Sequence, residues 1–193
     1  MARIRLLAFA LLAATACGGR SLGDGYGPAE VADSVSDDRL QPFEIGRRWE
    51  YRQRVFDPSQ PASCTGPFTS RVAEPVVVNG ETGWAYYPTC LPGPVTMLIA
   101  GDAIEAIIGG VRVVYASPPV VEGSAWEGDP AGVAYVWHDA GSLTVDAGTF
   151  ERCWRRASLE VDDEYIILCR GIGLVVSNVP RGNFRLELVG KNF

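Results

Sequence analysis

Apolar and polar residues alternate in short runs from Gln41 to the end of the chain, and turn-forming residues recur about every ten positions. A period of two is typical of strands that bury one face, whereas no stretch repeats its apolar residues at helical spacing. The pattern therefore predicts an all-β fold with about ten strands and little or no helix outside the first segment. The predicted strands span residues 48–56, 71–78, 82–89, 103–108, 111–116, 133–138, 142–146, 151–161, 164–169, 172–177 and 184–189.

Three of the predicted connections are tight hairpin turns. Asn79-Gly80 lies between two β-rich runs, and this dipeptide favours a type I′ turn because that turn needs positive φ at both central positions. Gly109-Gly110 is flanked in the same way. We expect a third hairpin around Ala140-Gly141, with the strands over residues 133–138 and 142–146 on either side.

The first sixteen residues have the composition of a targeting segment. Arg3 and Arg5 are followed by an apolar run over residues 6–16, which is shorter than the roughly 20 residues that a membrane-spanning helix needs. A basic start, an apolar middle and small residues at the end are typical of a secretory signal peptide, so residues 1–16 are predicted to be removed. The sequence Ala14-Thr15-Ala16-Cys17 suits ordinary signal peptidase, and it also resembles the bacterial lipobox, in which the cysteine is acylated. Both interpretations cleave the same bond.

The number of cysteines favours the lipid anchor. An exported protein with five cysteines has one left over if the others form disulfides, and acylation of Cys17 accounts for it. Gly18 after that cysteine resembles the sorting signal of outer-membrane lipoproteins. The other four allow three pairings. We expect Cys64–Cys90 and Cys153–Cys169, because each of these pairs straddles one predicted turn.

The chain divides into a tether and a single domain. Residues 17–40 are rich in Gly and Asp and contain few large apolar side chains, so they cannot bury enough surface to fold alone. We interpret them as the lipidated Cys17 followed by a flexible spacer. Residues 41–193 form one β domain that is large enough to bury its own core.

Composition and charge exclude several classes of function. The chain has 193 residues, a net charge of −6 and no dense basic cluster, which argues against nucleic-acid binding. It has one histidine, His138, next to Asp139, and we interpret it as a water-facing residue at a hairpin end. Asp162-Asp163-Glu164 lacks the spacing of a calcium loop and is predicted to be a solvated turn. We therefore expect no metal, no cofactor and no catalytic residue.

Six aromatic residues form three pairs in which the members are two positions apart. Because side chains alternate across a strand, both members of each pair point to one face of the sheet. Such a surface could line an apolar ligand cavity, or the rings could simply fill the core of a curved sheet. Periodicity leaves these two alternatives open. The pairs are Trp49 and Tyr51, Trp84 and Tyr86, and Tyr135 and Trp137.

Three motifs along residues 41–193 resemble, in this order, those of a group of poorly characterised bacterial envelope lipoprotein domains. The motifs are Gly46-Arg47-Arg48-Trp49-Glu50-Tyr51, Val145-Asp146-Ala147-Gly148-Thr149-Phe150-Glu151-Arg152-Cys153 and Gly171-Ile172-Gly173-Leu174-Val175. The resemblance implies a strongly curved antiparallel sheet, similar to the half-barrel of periplasmic lipoprotein carriers and their outer-membrane receptor. Those relatives shelter acyl chains in their concavity. Gly148 and Gly173 suit bends or a close approach of the backbone.

These observations together predict a non-enzymatic, lipid-anchored protein of the cell envelope, located at the outer membrane. Its curved β domain is expected to serve binding or structural interaction, with an apolar or acyl molecule as one candidate ligand. The alternative is a protein–protein interaction module, which would have a filled interior and an exposed apolar patch or an open edge strand. A hydrolase is a remote alternative, since no nucleophile has a base at a recognisable spacing.

Overall fold

A computed structural model describes residues 38–128 and 132–193 of the chain. The described residues form twelve strands, which confirms the all-β fold class with more strands than expected. Within these ranges the one helical element is a short 3-10 turn, Pro180–Gly182, so no described helix could cross a membrane. The strands are β1 (Arg48–Val55), β2 (Thr69–Val78), β3 (Glu81–Tyr87), β4 (Val95–Ala100), β5 (Ala103–Ile108), β6 (Val111–Ala116), β7 (Ala125–Glu127), β8 (Ala134–Val145), β9 (Gly148–Ser158), β10 (Tyr165–Cys169), β11 (Gly173–Val179) and β12 (Phe184–Lys191).

All twelve strands belong to one antiparallel sheet with the order β6-β5-β4-β3-β2-β1-β12-β11-β10-β9-β8-β7. Strands that follow one another in sequence are neighbours throughout each half of the sheet. The pairing of β1 with β12 joins the two halves, with Val55 opposite Phe184 at one end. The fold is therefore built from hairpins, which explains why turn signals in the sequence predict so much of it.

The two edges of the sheet, β6 and β7, approach each other and nearly close it into a barrel. The backbone N–H of Val114 in β6 donates to the carbonyl of Gly128, just after β7, at 2.5 Å. The indole Nε1 of Trp126 in β7 also donates to the carbonyl of Val114, at 3.5 Å. The strongly curved sheet is thus confirmed, and the contacts across its edges protect strands that would otherwise be open to pairing.

The structure confirms the first two hairpin turns. Asn79 and Gly80 have φ values of 53° and 84°, as a type I′ turn requires. Gly109 and Gly110 have φ values of 58° and 84°. Positive φ at both central positions matches the right-handed twist of the flanking strands, and this explains why these two dipeptides connect adjacent strands.

The hairpin expected around Ala140-Gly141 is wrong. Residues on both sides of it belong to one continuous strand, β8, and Gly141 is part of an irregularity in its pairing with β9. Gly141 has a φ of 62°, and its N–H donates to the carboxylate of Asp139 at 2.8 Å. A β-bulge uses the left-handed conformation of glycine as readily as a turn does, so the same residue can serve either. The connection between β8 and β9 falls at Asp146-Ala147 instead.

The folded domain includes residues assigned above to the tether. Residues 38–44, which we call the N-terminal strap, pack against the sheet, and Leu40 and Phe43 are fully or almost fully buried. The N–H of Gly171 donates to the carbonyl of Arg39 at 2.9 Å, which fixes the strap against the β10–β11 turn. The predicted signal peptide, Cys17 and the tether as far as residue 37 lie outside the described residues.

Two disulfides link the same pairs that the turns indicated. Cys153 and Cys169 face each other on β9 and β10 and are completely buried. Cys64, in the loop after β1, is joined to Cys90, in the loop after β3. The first disulfide therefore joins two adjacent strands, whereas the second joins two loops at the same end of the domain.

Candidate ligand cavity

The first aromatic pair is part of the core and holds β1 to β11 and the turn before it. Trp49 and Tyr51 are buried on the same face of β1, as the alternation predicts. The indole Nε1 of Trp49 donates to the carbonyl of Ile172 at 2.6 Å, and the Tyr51 hydroxyl donates to the carbonyl of Leu174 at 3.1 Å. Each polar atom of these large side chains therefore has a partner, as buried aromatic residues usually do.

The last aromatic pair lies where the two edges of the sheet meet. Trp137 is completely buried, stacks against Trp126 with 5.0 Å between the ring centroids, and donates its indole N–H to the carbonyl of Ser117 at 2.9 Å. The ring of Tyr135 also contacts that of Trp126, with 5.8 Å between the centroids. Since Ser117 follows β6, this pair closes the barrel rather than lining a cavity.

A cavity of about 240 Å³ lies on the concave face of the sheet, and Tyr86 is the one member of the six aromatic residues that lines it. Trp84, two positions earlier, is half-buried and packs against the core. The ring of Tyr86 contacts that of Phe43 from the strap, with 5.3 Å between centroids. Tyr86 therefore borders the cavity, Trp49, Tyr51 and Trp137 are buried in the core, and Trp84 and Tyr135 are half-buried.

The wall of the cavity is built from inward-facing residues of β3, β4 and β5. Tyr86 is opposite Val95, and Met97 is opposite Ala106, so alternate positions of three paired strands meet on one face. The strap covers a second side with Gln41 and Phe43. The lining residues are Gln41, Phe43, Tyr86, Pro88, Thr89, Cys90, Leu91, Val95, Met97, Ala106, Ile108, Tyr115, Leu174, Ser177, Phe184 and Leu186.

The cavity is apolar, uncharged and open at one end. None of its described lining residues carries a charge. Gln41 and Phe43 are almost fully buried, at 4% and 1% exposure, whereas Leu91 and Ile108 are 41% and 46% exposed. The exposed residues Leu91 and Ile108 form the mouth. The strap lies at the opposite end of the strands, against the β10–β11 turn, and forms the deep end. The volume exceeds the roughly 150 Å³ of an engineered apolar cavity that binds benzene.

Two tyrosines of the cavity remain neutral at ordinary pH. Burial raises the pKa of Tyr86 and, less strongly, that of Tyr115, where nearby Arg156 opposes the shift. A phenol whose charged form is disfavoured by burial can donate a hydrogen bond but does not act as a base. These tyrosines therefore supply surface and neutral hydroxyl groups.

His138 lies away from this cavity and is not at a hairpin end, so its predicted position is wrong. It sits in the middle of β8, because Gly141 forms a bulge and not a turn. Its Nδ1 lies 2.8 Å from a carboxylate oxygen of Glu122, and both side chains are exposed. The backbone N–H of Asp139, and then His138, hold the pKa of Glu122 below its usual value. Within residues 38–128 and 132–193 no group of three or more His, Cys, Asp or Glu side chains could hold a metal.

Sequence reasoning assigns none of the lining residues except Tyr86 to a ligand surface, and two groups of them show why. Val95 and Met97 belong to β4, an apolar run between two short turns that the alternation pattern does not identify as a strand because it does not alternate. Gln41 and Phe43 belong to the strap, which has no periodic pattern at all. A short apolar run bounded by turns is consistent with a fully buried strand, and this feature of the sequence could have identified β4.

No family model matches the chain, and no curated protein matches it. Among solved structures, a protein from Bacteroides fragilis that is inferred to be exported, with a YmcC-like fold, is 10% identical, with a TM-score of 0.43 over 79% of this chain and 98% of that chain. An inferred lipoprotein from Parabacteroides distasonis is 12% identical, with a TM-score of 0.42 over the same shares.

Proposed function

We propose that this chain is a lipid-anchored protein of the cell envelope that binds a small apolar ligand in its cavity and has no catalytic activity. The observation that carries the proposal is an uncharged cavity of about 240 Å³ with an open mouth, in a domain where Trp49, Tyr51 and Trp137 are packed as core and leave this space unfilled. Concave, mostly apolar sites with few polar groups are typical of small-molecule binding.

The shape of the cavity supports a ligand that enters through the mouth by its own apolar surface. Leu91 and Ile108 expose more than a third of their surface at the mouth, so an apolar molecule meets apolar side chains before it is enclosed. Burying apolar area contributes about 25 cal/mol per Å², and a concave site contacts much of a small ligand's surface even when one end is open. A weak to moderate affinity for small apolar molecules follows.

The first prediction concerns the cavity. Ala106→Leu is expected to weaken the binding of an apolar fluorophore by roughly tenfold or more, because the larger side chain projects into the space the probe would occupy. The native chain is expected to bind the probe with a Kd in the micromolar range. Titration followed by fluorescence measures both values, and urea denaturation checks that the variant is folded.

The matched control is Ala85→Leu. Ala85 is next to Tyr86 on β3 and therefore points to the opposite face of the sheet, away from the cavity. This variant gains the same side chain and is expected to bind the probe as the native chain does. Equal binding by the native chain and Ala106→Leu would contradict a ligand site in this cavity.

The second prediction concerns the anchor. We expect the mature protein to begin at an acylated Cys17, because Ala14-Thr15-Ala16 resembles a lipobox and the other cysteines are paired. Cells given labelled palmitate should incorporate it into the native chain and not into Cys17→Ser. Recovery of the native protein in soluble form with a free Cys17 thiol would exclude lipid anchoring.

A further inference from the structure

Among the described residues that line the cavity, Gln41 is the one whose buried side-chain donor has no hydrogen-bond partner. We infer that the ligand, whose existence rests on the proposed function, is an uncharged single-chain compound with a carbonyl oxygen, such as an ester, ketone or lactone, and that the Gln41 amide binds this oxygen. A buried donor without a partner is costly, so a ligand that supplies an acceptor gains more than a plain hydrocarbon does.

The orientation of the Gln41 amide is fixed by a backbone contact. Its carbonyl oxygen, Oε1, accepts a hydrogen bond from the N–H of Leu174 at 3.0 Å. An N–H cannot pair with the amide NH₂ group, so the oxygen and nitrogen of this side chain cannot be exchanged. The oxygen therefore accepts the hydrogen bond from Leu174 at the start of β11, and the NH₂ group is the donor without a partner.

Gly173 makes room for this arrangement. A Cβ at Gly173 would lie 2.5 Å from both Oε1 and Nε2 of Gln41, and Gly173 also has a φ of 92°, which favours glycine. The amide thus lies flat against the start of β11, as the close backbone approach expected at Gly173 allows. The nitrogen lies within the wall. Binding therefore requires a small rotation about the terminal torsion, which has a broad minimum, that brings an N–H to the ligand and keeps Oε1 in contact with Leu174.

The position of Gln41 determines which end of the ligand enters first. Gln41 is at the deep end, whereas the mouth is formed by Leu91 and Ile108. A carbonyl at the deep end must therefore belong to a small head group, with its hydrocarbon chain directed toward the mouth. A phospholipid would have to bury a large charged head group there, and a carboxylate would find no cation among the described lining residues.

The experiment compares three probes of equal chain length by calorimetry or by displacement of the fluorophore: octane, methyl octanoate and octanoate. The quantity of interest is the ratio of the affinities for methyl octanoate and octane. Gln41→Met is expected to lower this ratio roughly tenfold, because the near-isosteric side chain removes the donor. Octanoate at neutral pH is expected to bind more weakly than its methyl ester.

Two further variants separate the donor from the fold. Gln53→Met makes the same substitution at a residue whose amide donates to the carbonyl of Cys64 outside the cavity, and it should leave the ratio unchanged within about twofold. Gln41→Glu keeps an oxygen for Leu174. At alkaline pH the ionised carboxyl of this variant has no donor, so the ratio of the affinities for methyl octanoate and octane should fall below that of the native chain. Protonation at acidic pH restores an O–H donor, and the ratio should rise again.

The outcomes distinguish the inference from the proposed function. If none of the probes binds the native chain, the proposed function itself fails. If the native chain binds octane and methyl octanoate but Gln41→Met leaves their ratio unchanged, or Gln53→Met lowers it equally, the role of Gln41 is wrong while ligand binding stands. Tighter binding of octanoate or of a short-chain phospholipid than of methyl octanoate would also overturn the inferred ligand class.

Discussion

Trp137→Ala is expected to lower the free energy of unfolding by about 3–5 kcal/mol, the range for truncating a large buried aromatic residue. Trp137 is completely buried, and its ring centroid lies 5.0 Å from that of Trp126. Its indole N–H donates a hydrogen bond to the carbonyl of Ser117. Its loss leaves a void and an unpaired carbonyl where the two edges of the sheet meet. Urea denaturation followed by fluorescence of the remaining tryptophans measures the change.

Trp84→Ala is the matched control for this prediction. It truncates the same residue type in the same sheet, but Trp84 is half-buried and no hydrogen bond of its indole contributes to closing the barrel. We expect a clearly smaller loss of stability. An equal loss in the two variants would contradict the role assigned to Trp137 at the junction of the edges.

Replacing both cysteines of the buried disulfide, Cys153→Ala with Cys169→Ala, is expected to lower the free energy of unfolding by about 3 kcal/mol. The two residues are 16 positions apart, and closing a loop of about this length in the unfolded chain has roughly that effect. The bond also joins β9 and β10 within the core. Denaturation without reductant measures the difference from the native chain.

Reductant provides the control for the disulfide. It should destabilise the native chain by more than it destabilises the double variant, in which only the bond between Cys64 and Cys90 remains to be broken. Peptide mapping without reduction should recover the two linked pairs separately. A peptide that links Cys64 or Cys90 to Cys153 or Cys169 would contradict this pairing.

The sequence predicts those parts of the fold that depend on local chemistry. Asn79-Gly80 and Gly109-Gly110 form turns because positive φ is needed within the dipeptides themselves. Trp49 and Tyr51 share a face because side chains alternate along any strand. Gly141 shows the limit of this reasoning, since the left-handed conformation it provides suits a bulge as well as a turn, and only the pairing with β9 decides between them.

The cavity is harder to predict because it depends on packing between distant segments. Alternation indicates which residues face inward, but it does not indicate whether the space in front of them is filled. Trp49 and Trp137 meet other side chains there, whereas Tyr86 borders open volume. Two of the lining residues, Gln41 and Phe43, come from the strap, which reaches the sheet without any periodic signal.

Native mass spectrometry of the protein purified from the cell envelope tests ligand binding in the cavity most directly. We expect the native chain to carry an excess mass that corresponds to a small apolar molecule, and Ala106→Leu prepared in the same way to lack it. Ala85→Leu should retain the excess mass, since its added side chain lies on the other face of the sheet. A native chain with no bound mass, or the same bound mass on Ala106→Leu, would contradict a ligand in this cavity.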